Sequence, residues 1–83
     1  MFELVYTETF QKDLKKLDNS SKRHLEKLVA KLLEKPTRSK PLEGYANHFR
    51  IRFEHYRIVY KVEGNKIWLL FVRKRDEAYR ALR

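Results

Sequence analysis

Arginines at positions 50, 52 and 57 are the residues of this 83-residue chain whose type and spacing suit binding to a phosphate. A guanidinium group is planar and permanently charged, grips two phosphate oxygens at once and stacks on bases, which a lysine ammonium does not. Within NHFRIRFEHYRIVYK, residues 47–61, Arg50 and Arg52 are two apart and share one side of a strand. Arg57 follows a short bend and shares a side of the neighbouring strand, so the three can lie within several ångströms of one another. Cations crowded in this way repel unless an anion sits among them. The same residues would also make an ordinary solvated sheet face, and spacing alone leaves both readings open. The aromatic neighbours favour an RNA backbone over a generic cationic surface, with Lys61 and His55 as further contacts.

A second cluster, VRKRDEAYR at 72–80, ends a strand in Arg73, Lys74 and Arg75 and places Tyr79 just beyond. Other chemistries find less support. His24, His48 and His55 have no partner histidine or cysteine at ligand spacing, so neither a metal nor a cofactor is expected. His55 is read as a turn residue before it is read as an RNA contact. Glu54, Glu63, Asp76 and Glu77 stand singly beside basic residues, which suits surface pairing better than an acid/base pair. No glycine-rich phosphate loop or Ser/His/Asp set is present.

Composition agrees with an anionic partner. Twenty Lys and Arg against eleven Asp and Glu leave a formal charge of +9 and a pI near 10.0. Nucleic acid, an anionic membrane or an acidic protein would all answer such a field. No apolar run approaches the roughly 18 residues that span a bilayer, and MFELVYTETF lacks the basic start and long apolar stretch of a secretion signal. The expectation is a soluble, cytoplasmic protein without membrane contact, and the lack of cysteine agrees with a reducing compartment. Residues 1–83 are expected to form one domain, since a chain this short cannot support two cores.

The elements that must position these residues follow from periodicity. FELVY at 2–6 alternates as a strand does. Thr7 is an N-cap candidate, and Phe10, Leu14 and Leu17 mark the buried side of a helix from about 8 to 17, with Lys12, Asp13, Lys15 and Lys16 elsewhere. Asp18-Asn19-Ser20-Ser21 turns the chain and caps a second helix, whose stripe of Leu25, Leu28, Val29, Leu32 and Leu33 ends at Pro36. Residues 36–47 read as a loop. From His48 the period becomes two, with Phe49, Ile51 and Phe53 on the face opposite His48, Arg50 and Arg52. A strand from Tyr56 to Val62, a tight turn at Gly64-Asn65 and a strand from Ile67 to Val72, apolar on both faces, follow. Residues 75–82 supply a last helical turn packed by Ala78 and Leu82. The expected fold class is α+β: an N-terminal strand, a helical hairpin, then a mainly antiparallel sheet of about four strands, ordered β-α-α-β-β-β, with helices on one face and an open, partly cationic other face.

These segments carry a resemblance. LEGYANHFRIRFEHYRIVYKV at 42–62 and RKRDEAY at 73–79, in this order of elements, resemble the RelE/ParE superfamily of toxins from type II toxin-antitoxin pairs, over nearly the whole chain. The likeness is nearer to RelE, whose members cut messenger RNA in the ribosomal A site, than to ParE, which poisons DNA gyrase. It implies an endoribonuclease, or mRNA interferase, that needs no metal, attacks the phosphate with the adjacent ribose 2′-hydroxyl and so inhibits translation. Arg50 and Arg52 match two basic strand residues that are usually lysines in RelE-type toxins. Arg57 matches the arginine of the family's YR pair, Arg73 or Arg75 its post-strand arginine, and Tyr79 its C-terminal tyrosine. The implied partners are messenger RNA, the ribosome and a cognate RelB-like antitoxin whose acidic or amphipathic segment wraps the toxin in a hetero-oligomer. A ParE-like gyrase inhibitor and a non-catalytic RNA-binding domain are the alternative readings.

Overall fold

A computed structural model describes residues 1–82. The chain runs β1 (Glu3–Tyr6), α1 (Glu8–Leu14), α2 (Asn19–Leu32), β2 (Lys40–Pro41), β3 (His48–Phe53), β4 (Tyr56–Glu63), β5 (Lys66–Lys74) and α3 (Arg75–Ala81). The strands form one sheet in the order β1-β5-β4-β3-β2, with β1 parallel to β5 and every other pair antiparallel. This is the α+β fold that periodicity predicts, with five strands in place of about four. The additional strand is Lys40–Pro41, which pairs with Arg50 and Phe49 inside the segment expected to be a loop. Proline lacks an amide donor, and at the sheet's edge none is needed on the outer side.

Local chemistry sets the helix starts. The Thr7 hydroxyl accepts from the Phe10 amide at 3.2 Å and donates to the Leu69 carbonyl at 2.6 Å, so one side chain caps α1 and ties it to β5. Asp18 caps α2, its carboxylate accepting from the Ser21 amide at 2.7 Å. That hydrogen bond holds the Asp18 carboxyl below its ordinary pKa. The first helix is shorter than predicted. After Leu14 the turn tightens, with the Leu17 amide bonding to the Leu14 carbonyl three residues back, and Leu17 still reaches the core.

The main core lies between α1 and α2 and one face of the sheet. Phe10, Leu25 and Val29 meet Phe49, Phe53, Ile58, Tyr60, Ile67, Leu69 and Val72 there. Burying aromatic and branched side chains on this scale is the main drive to fold. The predicted turns form at Glu54-His55 and at Gly64, whose φ of 59° a glycine adopts without strain. Glu54 takes φ 55° without that freedom, and its carboxylate is held by Ser21 Oγ at 2.9 Å and His24 Nδ1 at 3.2 Å. Those contacts with α2 fix the β3–β4 turn.

Two features of the other face depart from expectation. It is not open: α3 folds over it, burying Ala78 fully against Val59 and Phe71, with Leu42, Leu70 and Leu82 around them. The second feature is a register shift. Val59 pairs with Phe71 and Tyr60 with Leu69, which leaves Leu70 as an extra residue in β5. Simple alternation from Ile67 and Leu69 would send Phe71 and Arg73 into the main core. The bulge reverses the parity, so Val72 enters the core and Phe71 joins the α3 side.

Candidate phosphate-binding site

Pairing across β3, β4 and β5 builds the site. Arg52 is opposite Arg57, and Arg57 is opposite Arg73, so three arginines form a row across three strands. Paired residues share a face of the sheet, and the Leu70 bulge is what brings Arg73 into line. In the next row Arg50 is opposite Val59.

Arg57 is the least ordinary member. Alternation alone put it on an open surface, yet it is only 7 % exposed. The correction has a physical cause: α3 packs on Val59 and Phe71 and encloses the guanidinium. One Nη donates to the Tyr56 carbonyl at 2.8 Å, while the buried Nε has no partner among the described residues. Among those residues no carboxylate pairs with Arg50, Arg52, Arg57 or Arg75 (the described ion pairs involve other groups). A buried cation with a spare donor and cationic neighbours gains most from an anion that brings its own oxygens.

Tyr79 reaches this group from α3. Its hydroxyl accepts a hydrogen bond from Arg50. Desolvation pushes the Tyr79 phenol up, but Arg57, Arg50 and Arg75 around it favour phenolate more strongly, so its pKa is lowered overall. Four of the predicted residues, Arg50, Arg57, Arg75 and Tyr79, therefore meet.

The others are arranged differently. Arg52 is exposed at the β3 end of the row. Arg73 is opposite Arg57, but its Nε bonds to Asp13 Oδ2 at 3.1 Å and its guanidinium carbon is 5.1 Å from the centre of the Phe71 ring. Lys61 shares the face but is engaged by Glu63 at 3.5 Å and by the Trp68 ring at 6.0 Å, away from the arginine row. Lys74 and His55 line a shallow depression at the start of α3 with Arg75, Asp76, Glu77 and Arg80. The His55 carbonyl accepts the Arg75 amide, and its ring is 4.7 Å from that of Tyr56, so this residue helps to seat α3. Asp13 is the residue that sequence reasoning missed. Its charge placed it on the solvent side of α1, whereas it is buried against β5. An acidic residue in the last turn of a helix, where the dipole disfavours it, is the signal that something else holds it there.

The sequence profile of the ParE toxin of type II toxin-antitoxin systems matches residues 4–79. The chain belongs to the RelE/ParE toxin superfamily. Solved structures agree with that membership. The isolated E. coli RelE toxin superposes with a TM-score of 0.81 at 23 % identity over 100 % of both chains. The toxin is also similar to a chain of the intact E. coli RelBE toxin-antitoxin complex, with a TM-score of 0.81 at 25 % identity, covering 89 % of this chain and 96 % of that one. A chain of the RelBE2 toxin-antitoxin complex from Mycobacterium tuberculosis gives 0.78 at 26 % identity, covering 89 % and 98 %. No curated protein sequence matches. No helix among the described residues is long and apolar enough to cross a membrane.

Proposed function

We propose that this toxin is an endoribonuclease that cleaves messenger RNA in the ribosomal A site. The observation that carries the reading is the row of Arg52, Arg57 and Arg73 with Tyr79 held against Arg50. The ribose 2′-oxygen attacks the adjacent phosphorus as the bond from phosphorus to the 5′-oxygen breaks, leaving a cyclic phosphate and a free 5′-hydroxyl. The 2′-hydroxyl proton passes to a base, and solvent water supplies the proton that the leaving 5′-oxygen gains.

Arg57 and Arg73 stabilise the charge that grows on the phosphate oxygens. Arg50 and Arg52 hold the neighbouring backbone, with Lys61, Lys74 and His55 as outlying RNA contacts. Arg57, Arg50 and Arg75 favour the phenolate of Tyr79, which accepts the 2′-hydroxyl proton. An arginine stays charged and is a poor proton carrier, so the tyrosine is the better base in this set. The ribosome supplies the message in a fixed geometry, which lowers what the toxin must contribute. The formal charge of +9 favours an acidic, RelB-like antitoxin as the partner that silences it in a hetero-oligomer.

The test is cleavage of a message on ribosomes programmed with a defined A-site codon. Wild-type toxin is expected to cut within the codon, and Tyr79→Phe to be slower by about 100-fold. An intact message with wild-type toxin would reject the nuclease reading. The match to the ParE profile supports a second reading, inhibition of gyrase, for which induction would give double-strand DNA breaks without loss of protein synthesis.

A further inference from the structure

Among the described residues, no strand lies beside the outer side of β5 beyond residue 69. β1 pairs with β5 only from Lys66 to Leu69, after which the chain leaves the sheet to become α1. The next amide facing that edge is Val72, and Asp13 of α1 takes it at 3.3 Å through Oδ2. The same oxygen takes Arg73 Nε at 3.1 Å. The Asp13 side chain is 8 % exposed and that of Arg73 33 %. One carboxylate oxygen thus stands in for a missing strand and grips the arginine beside it.

Arg73 is held on two sides, at Nε by Asp13 and across its plane by Phe71. Among the described residues no hydrogen bond engages its two Nη groups, which are the pair that forks a phosphate. Arg73 is opposite Arg57 in the pairing of β4 and β5, and the grip of Asp13 on Nε restricts which way its fork can point. Among the described residues Asp13 is also the only carboxylate paired with the arginine row. Its charge offsets one of three adjacent positive charges without occupying the donors that would meet RNA.

We infer that Asp13 is a positioning residue: it sets the orientation of Arg73 for the transition state and moderates the charge of the row. This rests on the nuclease reading for its effect on rate, but not for its effect on Arg73 itself. Asp13→Asn keeps size and leaves an oxygen for the Val72 amide while removing the ion pair. In single-turnover cleavage on programmed ribosomes it is expected to slow the chemical step by about 10-fold to 100-fold while half-saturation changes less than about 2-fold. Adding Arg73→Ala to Asp13→Asn is expected to cost little more than Arg73→Ala alone.

Independently of catalysis, the Arg73 Nε proton, observed by NMR in the whole toxin, is expected to exchange slowly in the wild type and rapidly in Asp13→Asn. Arg73→Lys is a second variant that keeps a cation for Asp13 but loses the fork, and its rate should fall as much as that of Asp13→Asn. An unchanged Nε resonance in Asp13→Asn, or unaltered cleavage by it beside an active wild type, would overturn the inference. Failure of the wild type to cleave rejects the nuclease reading instead, and the NMR result still decides the position of Arg73.

Discussion

Tyr60 and Tyr79 carry the same phenol on opposite faces of one sheet, and their surroundings drive it in opposite directions. Tyr60 is fully buried in the main core, donates to the Pro36 carbonyl at 2.6 Å and has its pKa raised by desolvation. Tyr79 is only partly buried, accepts from Arg50 and has its pKa lowered by the surrounding arginines despite some desolvation. One phenol is locked in its neutral form as a structural donor. The other gives up its proton more readily than an ordinary tyrosine. The same contrast separates the two faces: apolar side chains from two helices close one, while a single short helix covers the other around Arg50, Arg57 and Arg75, which pair with no carboxylate among the described residues.

If that division is right, substitutions on the two faces should fail in different ways. The largest loss of stability is expected from Phe10→Ala, which empties part of the main core and should cost about 3 to 5 kcal/mol in urea unfolding. Molecules that remain folded should cleave normally. Arg57→Ala is expected to do the reverse, lowering cleavage by about 100-fold to 1000-fold and abolishing growth arrest on induction. Its melting temperature should hold or rise, because the change removes a buried cation whose Nε has no partner among the described residues. Melting that falls as far as in Phe10→Ala would erase the distinction between the faces.

The smallest effect is expected from Arg50→Ala, read as a pH-rate profile. Cleavage that needs Tyr79 as phenolate rises with pH, and the arginines move that rise to lower pH. Removing Arg50 withdraws one of those charges, so the limb should shift to higher pH and activity lost near neutrality should partly return in base. A profile that drops uniformly would assign Arg50 to RNA binding alone.

Much of this was legible in the chain itself. The three-to-four-residue spacing of Phe10, Leu14 and Leu17, the stripe from Leu25 to Leu33 and the alternation of Phe49, Ile51 and Phe53 follow from backbone geometry, which fixes the side-chain direction along any one element. The clustering of arginines on the remaining side of β3 follows for the same reason. The resemblance of LEGYANHFRIRFEHYRIVYKV to a toxin superfamily added Tyr79 to the set, although spacing gives no reason for a distant tyrosine to join it.

Tertiary structure decided what no single element could. Lys40–Pro41 became a strand only because the edge of β3 was free to accept it. Arg57 was buried because α3 had an apolar patch to cover, and Ala78 was small enough for close approach. Arg73 came to share a face with Arg57 because an extra residue at Leu70 reversed the alternation of β5, a change that depends on its register with β4. Asp13, acidic and at the end of a helix, reads from sequence as solvated; it is buried because β1 stops at Tyr6 and leaves the Val72 amide and the Arg73 guanidinium in need of an acceptor. Periodicity determines which way a side chain points from its own strand or helix, whereas what it meets there is set by neighbours distant in the chain.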